Sequence, residues 1–382
     1  MKYSFIILTI ISLLYSCNDN EEPYIPATQR TILIYMVANN SLGIAGLDEI
    51  DIQEMINASN NSSFNNGRLI IYHAPHNQSP SLIEISNGSI LTHKVYDQSI
   101  SSVSSKRMQQ VFTDVKTIAP AKDYGLVLWS HANGWRETGI ETSINTNQKS
   151  STLAFGDDKG KHMNITTLAS ILNEENFSFI YFDCCFMATI ESAYELRNAT
   201  SHIIASTTEV PGTGMPYEQN LPLLFANPTK LKEACMTTFD YYNSQKGQSR
   251  SCAISLIETK YLNELANITT EIYKQQPLLP TNFEPQKYAL DSICYYFDFG
   301  QYIDALSINY PYLNSLWQSS LNKTIPYKAA TPYMWNSLKI KHHSGLSTYI
   351  LNSYDDRTNN EYNNLQWWND VAINLWTTNN YK

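Results

Sequence analysis

Two places in the sequence set reactive side chains at the end of an apolar run. One is Y-G-L-V-L-W-S-H-A-N-G-W, Tyr124 to Trp135, which delivers His131. The other is F-I-Y-F-D-C-C-F-M-A-T-I-E-S-A-Y-E-L, Phe179 to Leu196, which delivers Asp183, Cys184 and Cys185. A thiol beside an imidazole is the equipment for acyl transfer. The thiolate attacks a carbonyl carbon, and the imidazole takes the thiol proton and returns it to the departing amine. Side chains alternate along a strand, so Asp183 and Cys185 face one way and Cys184 the other. Cys184 is then a small buried hydrophobe and Cys185 the thiol in the cleft. A helix opening near Phe186 would aim its amino end at Cys185 and lower that thiol's pKa. Asp183, at the end of an apolar strand, is costly to desolvate without a partner. A basic substrate side chain supplies one; a helix cap is the alternative use for the same carboxylate.

These groups need a scaffold that brings two strand ends together. Thr31–Ala38, Arg68–Pro75, Tyr124–His131, Phe177–Phe182 and His202–Thr208 read as buried strands, rich in apolar, β-branched and aromatic residues. Ile44–Ala58, acidic on one side, Ser105–Ile118, Ile165–Asn173 and Met187–Asn198 read as helices between them. Leu82–Tyr96 reads as a hairpin turning at N-G. Strands alternating with helices predict an α/β fold, a mostly parallel sheet covered on both faces. Sites in such folds lie outside the carboxyl ends of the strands, where His131 and Cys185 fall. The polar stretch from Ala132 to His162 is long enough to be a functional or flexible connection. Beyond Ala226 helices dominate (Thr229–Asn243, Lys260–Gln275, Ile303–Gln318), with strand-like Cys252–Ile257 and Gly345–Leu351 and a closing helix over Asn364–Trp376. The domain reading is a core over 30–225 and a C-terminal α+β region over 226–382 packed on it.

Composition narrows the partners. The chain has 382 residues, 43% hydrophobic and 16% charged, and a net charge of −9. An acidic balance argues against nucleic acid, whose phosphates need a basic face. The start, Met1-Lys2 followed by the apolar run Phe5–Leu14, has the form of a signal peptide over residues 1–16. It ends in L-Y-S-C, which resembles a bacterial lipobox; lipidation of Cys17 would leave residues 17–29 as a polar tether at the cell envelope. The N-D-N-E-E that follows also resembles an acidic surface-export signal of outer-membrane lipoproteins. No later stretch is long and apolar enough to span a bilayer. With Cys17 set aside, five of the six cysteines remain, and adjacent Cys184 and Cys185 do not suit a mutual bridge, so free thiols are expected. There is no C-x-x-C pair for zinc, H-A-P-H (His73, His76) lacks a third ligand, and His342-His343 read as the entry to a strand. No metal ligand set is assigned.

At the reactive residues the sequence resembles the clostripain family of cysteine peptidases. The resemblance rests on T-I-L-I-Y-M-V-A-N-N-S-L, W-S-H-A-N-G-W, F-D-C-C-F-M-A-T-I-E-S-A-Y-E-L, A-S-T-T-E-V-P-G-T-G-M-P-Y and H-S-G-L-S-T-Y-I, in that order. It runs from about Arg30 to about Trp376. It implies a caspase-like three-layer α/β/α sandwich with a C-terminal α+β extension. It implies an endopeptidase with His131 and Cys185 as its dyad and Asp183 in the pocket that takes Arg or Lys. It places Glu209 and Pro211 in the loop bordering the substrate cleft, and the Ala132 amide as an oxyanion donor. It also implies self-cleavage between the histidine and the cysteine, with Lys149 the leading candidate, Arg136 the next, and Lys159 and Lys161 in the same segment. Calcium accompanies clostripain itself; here no EF-hand spacing is present, the acids Asp157 and Asp158 suit a solvated loop, and no cofactor is required.

Two departures stand out. The family's glycine after the histidine is Ala132, and its D-A-C is D-C-C. Alanine resists positive φ, which keeps a weak or inactive peptide-binding lipoprotein in view. The abundance of Tyr, Trp and Asn keeps a surface glycan-binding lipoprotein in view as a third reading.

Overall fold

A computed structural model describes residues 28–61, 64–136, 154–279, 283–290, 294–351 and 354–372. The chain opens with strand β1 (Thr28–Val37), a short helix α1 (Ser41–Ile44) and helix α2 (Leu47–Asn61). Strands β2 (Arg68–Ala74), β3 (Ser81–Ser86) and β4 (Ser89–Val95) follow, then α3 (Ser105–Ile118) and β5 (Ala121–Trp129). A small hairpin of β6 (Phe155–Asp158) and β7 (Lys161–Met163) leads to α4 (Ile165–Leu172), β8 (Phe179–Asp183), α5 (Ile190–Glu195) and β9 (His202–Ala205). Next come α6 (Tyr217–Leu224), α7 (Leu231–Asn243), β10 (Ala253–Glu258) and α8 (Leu262–Gln275). The remaining elements are β11 (Phe297–Asp298), α9 (Phe299–Leu306), α10 (Pro311–Thr324), β12 (Tyr327–Ala330), β13 (Tyr333–Met334), β14 (Leu338–Lys339), β15 (Ser347–Thr348) and α11 (Asp356–Tyr362).

Nine strands form one sheet in the order β12-β10-β9-β8-β5-β1-β2-β3-β4. The central five, β9-β8-β5-β1-β2, are parallel, and the outer pairs are antiparallel. Each parallel strand is covered on both faces, which is why F-I-Y-F-D is buried at every position instead of alternating with polar residues. Phe179 and Tyr181 point into the apolar cluster under α2, α6 and α7, while Ile180 and Phe182 point into the larger cluster under α3, α4, α5 and α8. Gly125 on β5 makes room at this seam, since a Cβ there would stand 2.3 Å from the Phe179 ring.

The C-terminal region is part of the same sheet, because β10 and β12 extend it beyond β9. The helix expected over Ile303–Gln318 is two helices, α9 and α10. Pro311 opens α10 at its first turn, where its missing N–H costs nothing, and it cannot continue α9. The strand expected over Gly345–Leu351 shrinks to Ser347–Thr348, which pairs with β11. The N-G turn is where the sequence placed it: Asn87 and Gly88, at φ +48° and +73°, connect β3 to β4.

Candidate active site

Three neighbouring parallel strands, β1, β5 and β8, end side by side, with Met36 opposite Trp129 and Trp129 opposite Asp183. The residues just beyond these ends form a cleft of about 220 Å³. Leu42, His131, Asp183, Cys185, Glu209, Pro211 and Trp335 are on its walls. His131 and Cys185, 54 positions apart in sequence, thus share one depression.

Cys184 is 2% exposed and packed in the larger core cluster, with its thiol directed to the Leu128 carbonyl at 3.6 Å. Cys185 is half-buried and on the cleft. Strand β8 ends at Asp183, so strand alternation does not extend to the two cysteines, and Cys184 also borders the cleft. The helix expected at Phe186 does not form. Residues 184–189 form a turn, Phe186 takes φ +58°, and α5 begins only at Ile190, capped by the Thr189 hydroxyl. Its amino end therefore stands well past Cys185 and does not lower that pKa. Burial instead pushes the Cys185 thiol up to about 12, against the opposing effect of a Val210 N–H hydrogen bond to Sγ at 3.3 Å. Val210 belongs to the stretch Ser206–Met215, which runs beside the turn through bonds from Phe186 N to Thr208 O and from Ala188 N to Ser206 O, both 2.9 Å.

His131 follows Ser130, whose hydroxyl donates to the Val37 carbonyl at 2.8 Å and so ties β5's end to β1. The imidazole Nε2 is 2.8 Å from the Ser41 hydroxyl. Burial lowers the His131 pKa, with nearby Asp157 acting in the opposite sense and His162 in the same sense. Among the described residues no hydrogen bond joins His131 to Cys185. Ala132, 8% exposed, is not left-handed, so the side chain that replaces the family's glycine strains nothing; Gly134, two residues on, takes φ +63°. A Cβ on Gly134 would stand 3.0 Å from the Phe186 carbonyl oxygen, so this glycine lets the histidine and cysteine turns pack together.

Asp183 is 6% exposed. Its Oδ2 accepts from the Met215 N–H and the Tyr217 hydroxyl, both at 2.9 Å. Desolvation raises its pKa above the usual carboxylate range in spite of these bonds. Gly214, at φ +60°, passes so close that a Cβ would stand 2.7 Å from Oδ2. Behind Asp183 lie acids of α2. Asp51 is fully buried and accepts from the Trp129 indole at 2.6 Å. Asp48 pairs with His73 at 2.7 Å, and Glu54 accepts from the Tyr217 N–H at 2.9 Å. Burial first, then repulsion from Asp183, drives the Asp51 pKa strongly upward. The acidic side of α2 faces the strand ends instead of solvent. A carboxylate every third residue was a visible signal, but its direction depended on tertiary packing.

Glu209 is on the cleft wall and accepts from the Trp335 indole of the β13–β14 turn, a contact no local pattern announced. Pro211 is on the same wall. Arg136 is 2% exposed with its guanidinium stacked 3.5 Å from the Tyr295 ring centroid, so a protease reaches that position only after local opening. Lys159 and Lys161 are exposed at the β6–β7 hairpin. Lys149 and Cys17 lie outside the described residues. Asp158 accepts from Asn39, Ser101 and Ser102, and Asp157 from the Gly160 N–H. Among the described residues no group of three or more His, Cys, Asp or Glu is arranged to hold a metal.

The sequence model of the clostripain family matches residues 34–375. The structure resembles the crystal structure of an inactive zymogen C11 protease from Parabacteroides distasonis. Identity is 28% and the TM-score 0.78, over 91% of this chain and 99% of that one. It also resembles a secreted C11 cysteine protease from Bacteroides thetaiotaomicron crystallised with an irreversible peptide inhibitor. Identity there is 25% and the TM-score 0.77, over 90% and 99% of the two chains. No curated protein matches the sequence. The mostly parallel sheet and its caspase-like arrangement are as the sequence implied.

Proposed function

This chain belongs to the clostripain family of cysteine peptidases, and on that premise we propose that it is an endopeptidase cleaving after Arg or Lys with His131 and Cys185 as its dyad. One observation carries the reading: His131, Cys185 and Asp183 converge on a single cleft beyond the carboxyl ends of adjacent parallel strands. The substrate's cationic side chain pairs with Asp183. The Cys185 thiol loses its proton to His131 and its sulfur attacks the carbonyl carbon. The Ala132 amide is the proposed donor to the oxyanion. His131 then protonates the departing amine, and water, deprotonated by the same imidazole, hydrolyses the thioester.

A second reading concerns the state of the enzyme. Burial raises the pKa of the thiol and lowers that of the imidazole, which favours an uncharged resting pair. We read this as a precursor, in keeping with the resemblance to a zymogen. Self-cleavage within Ala132–His162, with Lys149 the leading site and Arg136 the next, activates it. Lipidation at Cys17 holds the mature chain at the bacterial envelope, and fatty-acid labelling lost in Cys17→Ala tests that part.

The test of the function is direct. Purified enzyme is offered fluorogenic peptides that differ only at the residue before the cleaved bond, together with an irreversible thiol probe. Cleavage after Arg or Lys, with Cys185 labelled, supports the reading. Cleavage after acidic or apolar residues sinks the specificity. Labelling without cleavage, once residue 149 has been cut, sinks the peptidase.

A further inference from the structure

We propose that Ser41 is a positioning residue of the peptidase site: its hydroxyl accepts the Nε2 proton of His131 and so leaves Nδ1 as the nitrogen that exchanges a proton with Cys185 and the departing amine. The inference rests on the His131–Cys185 reading above and adds to it a third residue and a tautomer.

The contact is short, 2.8 Å between Ser41 Oγ and His131 Nε2. A hydroxyl can donate or accept there. The chemistry decides which. The proposed reaction needs a base that meets the Cys185 thiol with an unprotonated ring nitrogen. Nε2 is engaged by Ser41, which leaves Nδ1. If Ser41 donated to Nε2, Nδ1 would carry the ring proton of a neutral imidazole and could not accept the thiol proton. With Nε2–H donating to Ser41, Nδ1 is the free base. The step balances: the S–H proton moves to Nδ1, giving an imidazolium whose Nε2–H stays on Ser41. The proton on Nδ1 then leaves with the amine.

Ser41 is exposed, and its backbone is fixed through its neighbours. Asn40, 6% exposed, accepts from the Leu42 N–H through Oδ1 at 2.9 Å and so caps the turn that carries Ser41. Its Nδ2 donates to the Val37 carbonyl at 2.9 Å, the Asp157 carbonyl at 2.8 Å and the Ser130 hydroxyl at 3.3 Å. Ser130 precedes His131, and its hydroxyl also accepts from the Asp157 N–H at 3.1 Å. One buried amide thereby fixes the residue before Ser41 against the residue before His131. The turn is tight as well: a Cβ on Gly43 would stand 1.9 Å from the Ala38 carbonyl oxygen. Strand β1 thus contributes to the site through the turn that follows it. The charged or titratable groups that act on the imidazole are Asp157 and His162, both from the β6–β7 side. Ser41 brings a neutral hydroxyl to Nε2.

Two measurements test this. In the Cys185→Ala protein, ¹⁵N NMR of His131 should report a protonated Nε2 and a bare Nδ1, and Ser41→Ala should abolish that preference. This readout needs no activity, so it fails or succeeds apart from the peptidase assignment. In the active enzyme, Ser41→Ala should lower kcat about tenfold with KM within about twofold. Ser41→Thr should restore most of the rate. Ser41→Asp should move the acidic limb of the pH–rate profile upward, because a carboxylate on Nε2 stabilises the imidazolium. The proposal is overturned by an Nδ1–H tautomer, by a rate and pH profile unchanged in Ser41→Ala, or by a faster enzyme in that variant, which would make Ser41 a clamp on the histidine instead.

Discussion

The indole N–H of Trp335 donates to the carboxylate of Glu209, and both residues are on the wall of the cleft that holds Cys185. Trp335 sits in the β13–β14 turn at φ +51°, with its own N–H on the Ser251 hydroxyl at 2.7 Å. The C-terminal region therefore braces the loop that supplies the Val210 bond to the Cys185 thiol. Replacing Trp335 by Phe removes the donor but keeps an aromatic wall. A hydrogen bond to a charged group contributes about 1.5–3 kcal/mol, and this one is partly exposed, so the lower end applies. The expected outcome is a fall in kcat/KM of about tenfold, carried mostly by KM. Thiol labelling of Cys185 by a small alkylating agent should continue or speed up. Peptide kinetics on Trp335→Phe and Trp335→Ala check it, and unchanged KM in both excludes the bracing role.

The two adjacent thiols both line the cleft but differ in exposure. Cys184 is 2% exposed with its thiol directed to the Leu128 carbonyl, and Cys185 is the more exposed of the two. Cys184→Ala should keep most activity and cost about 1 kcal/mol of stability, read as a small drop in Tm. Cys185→Ala and His131→Ala should each abolish turnover while folding normally. Activity that survives in Cys185→Ala but vanishes in Cys184→Ala would reverse the assignment.

If Asp183 is the acid that pairs with the substrate cation, as proposed, the selectivity should depend on pH. Its carboxyl is raised by burial, so it takes up a proton earlier on acidification than an ordinary aspartate does. The neutral acid no longer attracts a cation. The kcat/KM for Arg and Lys substrates should therefore fall on acidification at a pH where an ordinary aspartate is still charged. Bound substrate opposes the shift by favouring the charged form. Asp183→Asn keeps an oxygen for Met215 N–H and Tyr217 OH, so it should fold. It should lose about a hundredfold on basic substrates and lose this pH limb. A retained preference for Arg in that variant excludes Asp183 from the pocket.

Asp51 should make the fold weaker in alkali. Its folded-state pKa lies above the unfolded value, so the folded chain holds a proton that the unfolded chain releases. The stability this gives is complete below the unfolded pKa and is lost as pH rises toward the folded value, at up to about 1.4 kcal/mol per pH unit. Asp51→Asn offers the Trp129 indole the same acceptor without the charge. Its Tm should exceed that of the wild type, by a margin that grows from pH 5 to pH 9. A margin constant with pH would show that Asp51 does not titrate in the folded state.

The parallel core was legible because its strands are continuous apolar runs and its helices have clear periodicity, as in Ser105–Ile118. The convergence of His131 and Cys185 on one cleft was legible because each follows such a run. What escaped was decided across the sheet. The α2 acids read only as one side of a helix until β5 and β8 place Trp129 and Asp183 against them. Only the packing of remote elements brings Trp335 to the cleft and Ser41 to the His131 ring. The low thiol pKa expected from a following helix failed for a local reason: the chain needs the turn 184–189 before α5 can start.

The pairing of β5 with β8, Gly125 opposite Phe179 through Trp129 opposite Asp183, lies in the middle of the nine-stranded sheet. His131 follows one strand and Cys185 the other. A backbone cut between them divides the sheet between two polypeptides, one carrying His131 and the other Cys185, and the seam between the two runs through both apolar clusters. A nicked molecule is in effect an obligate heterodimer whose interface is the former hydrophobic core. Its genetics should show this too: an allele lacking His131 and an allele lacking Cys185, each inactive, can regain activity together only if halves exchange between molecules, which that interface forbids without unfolding.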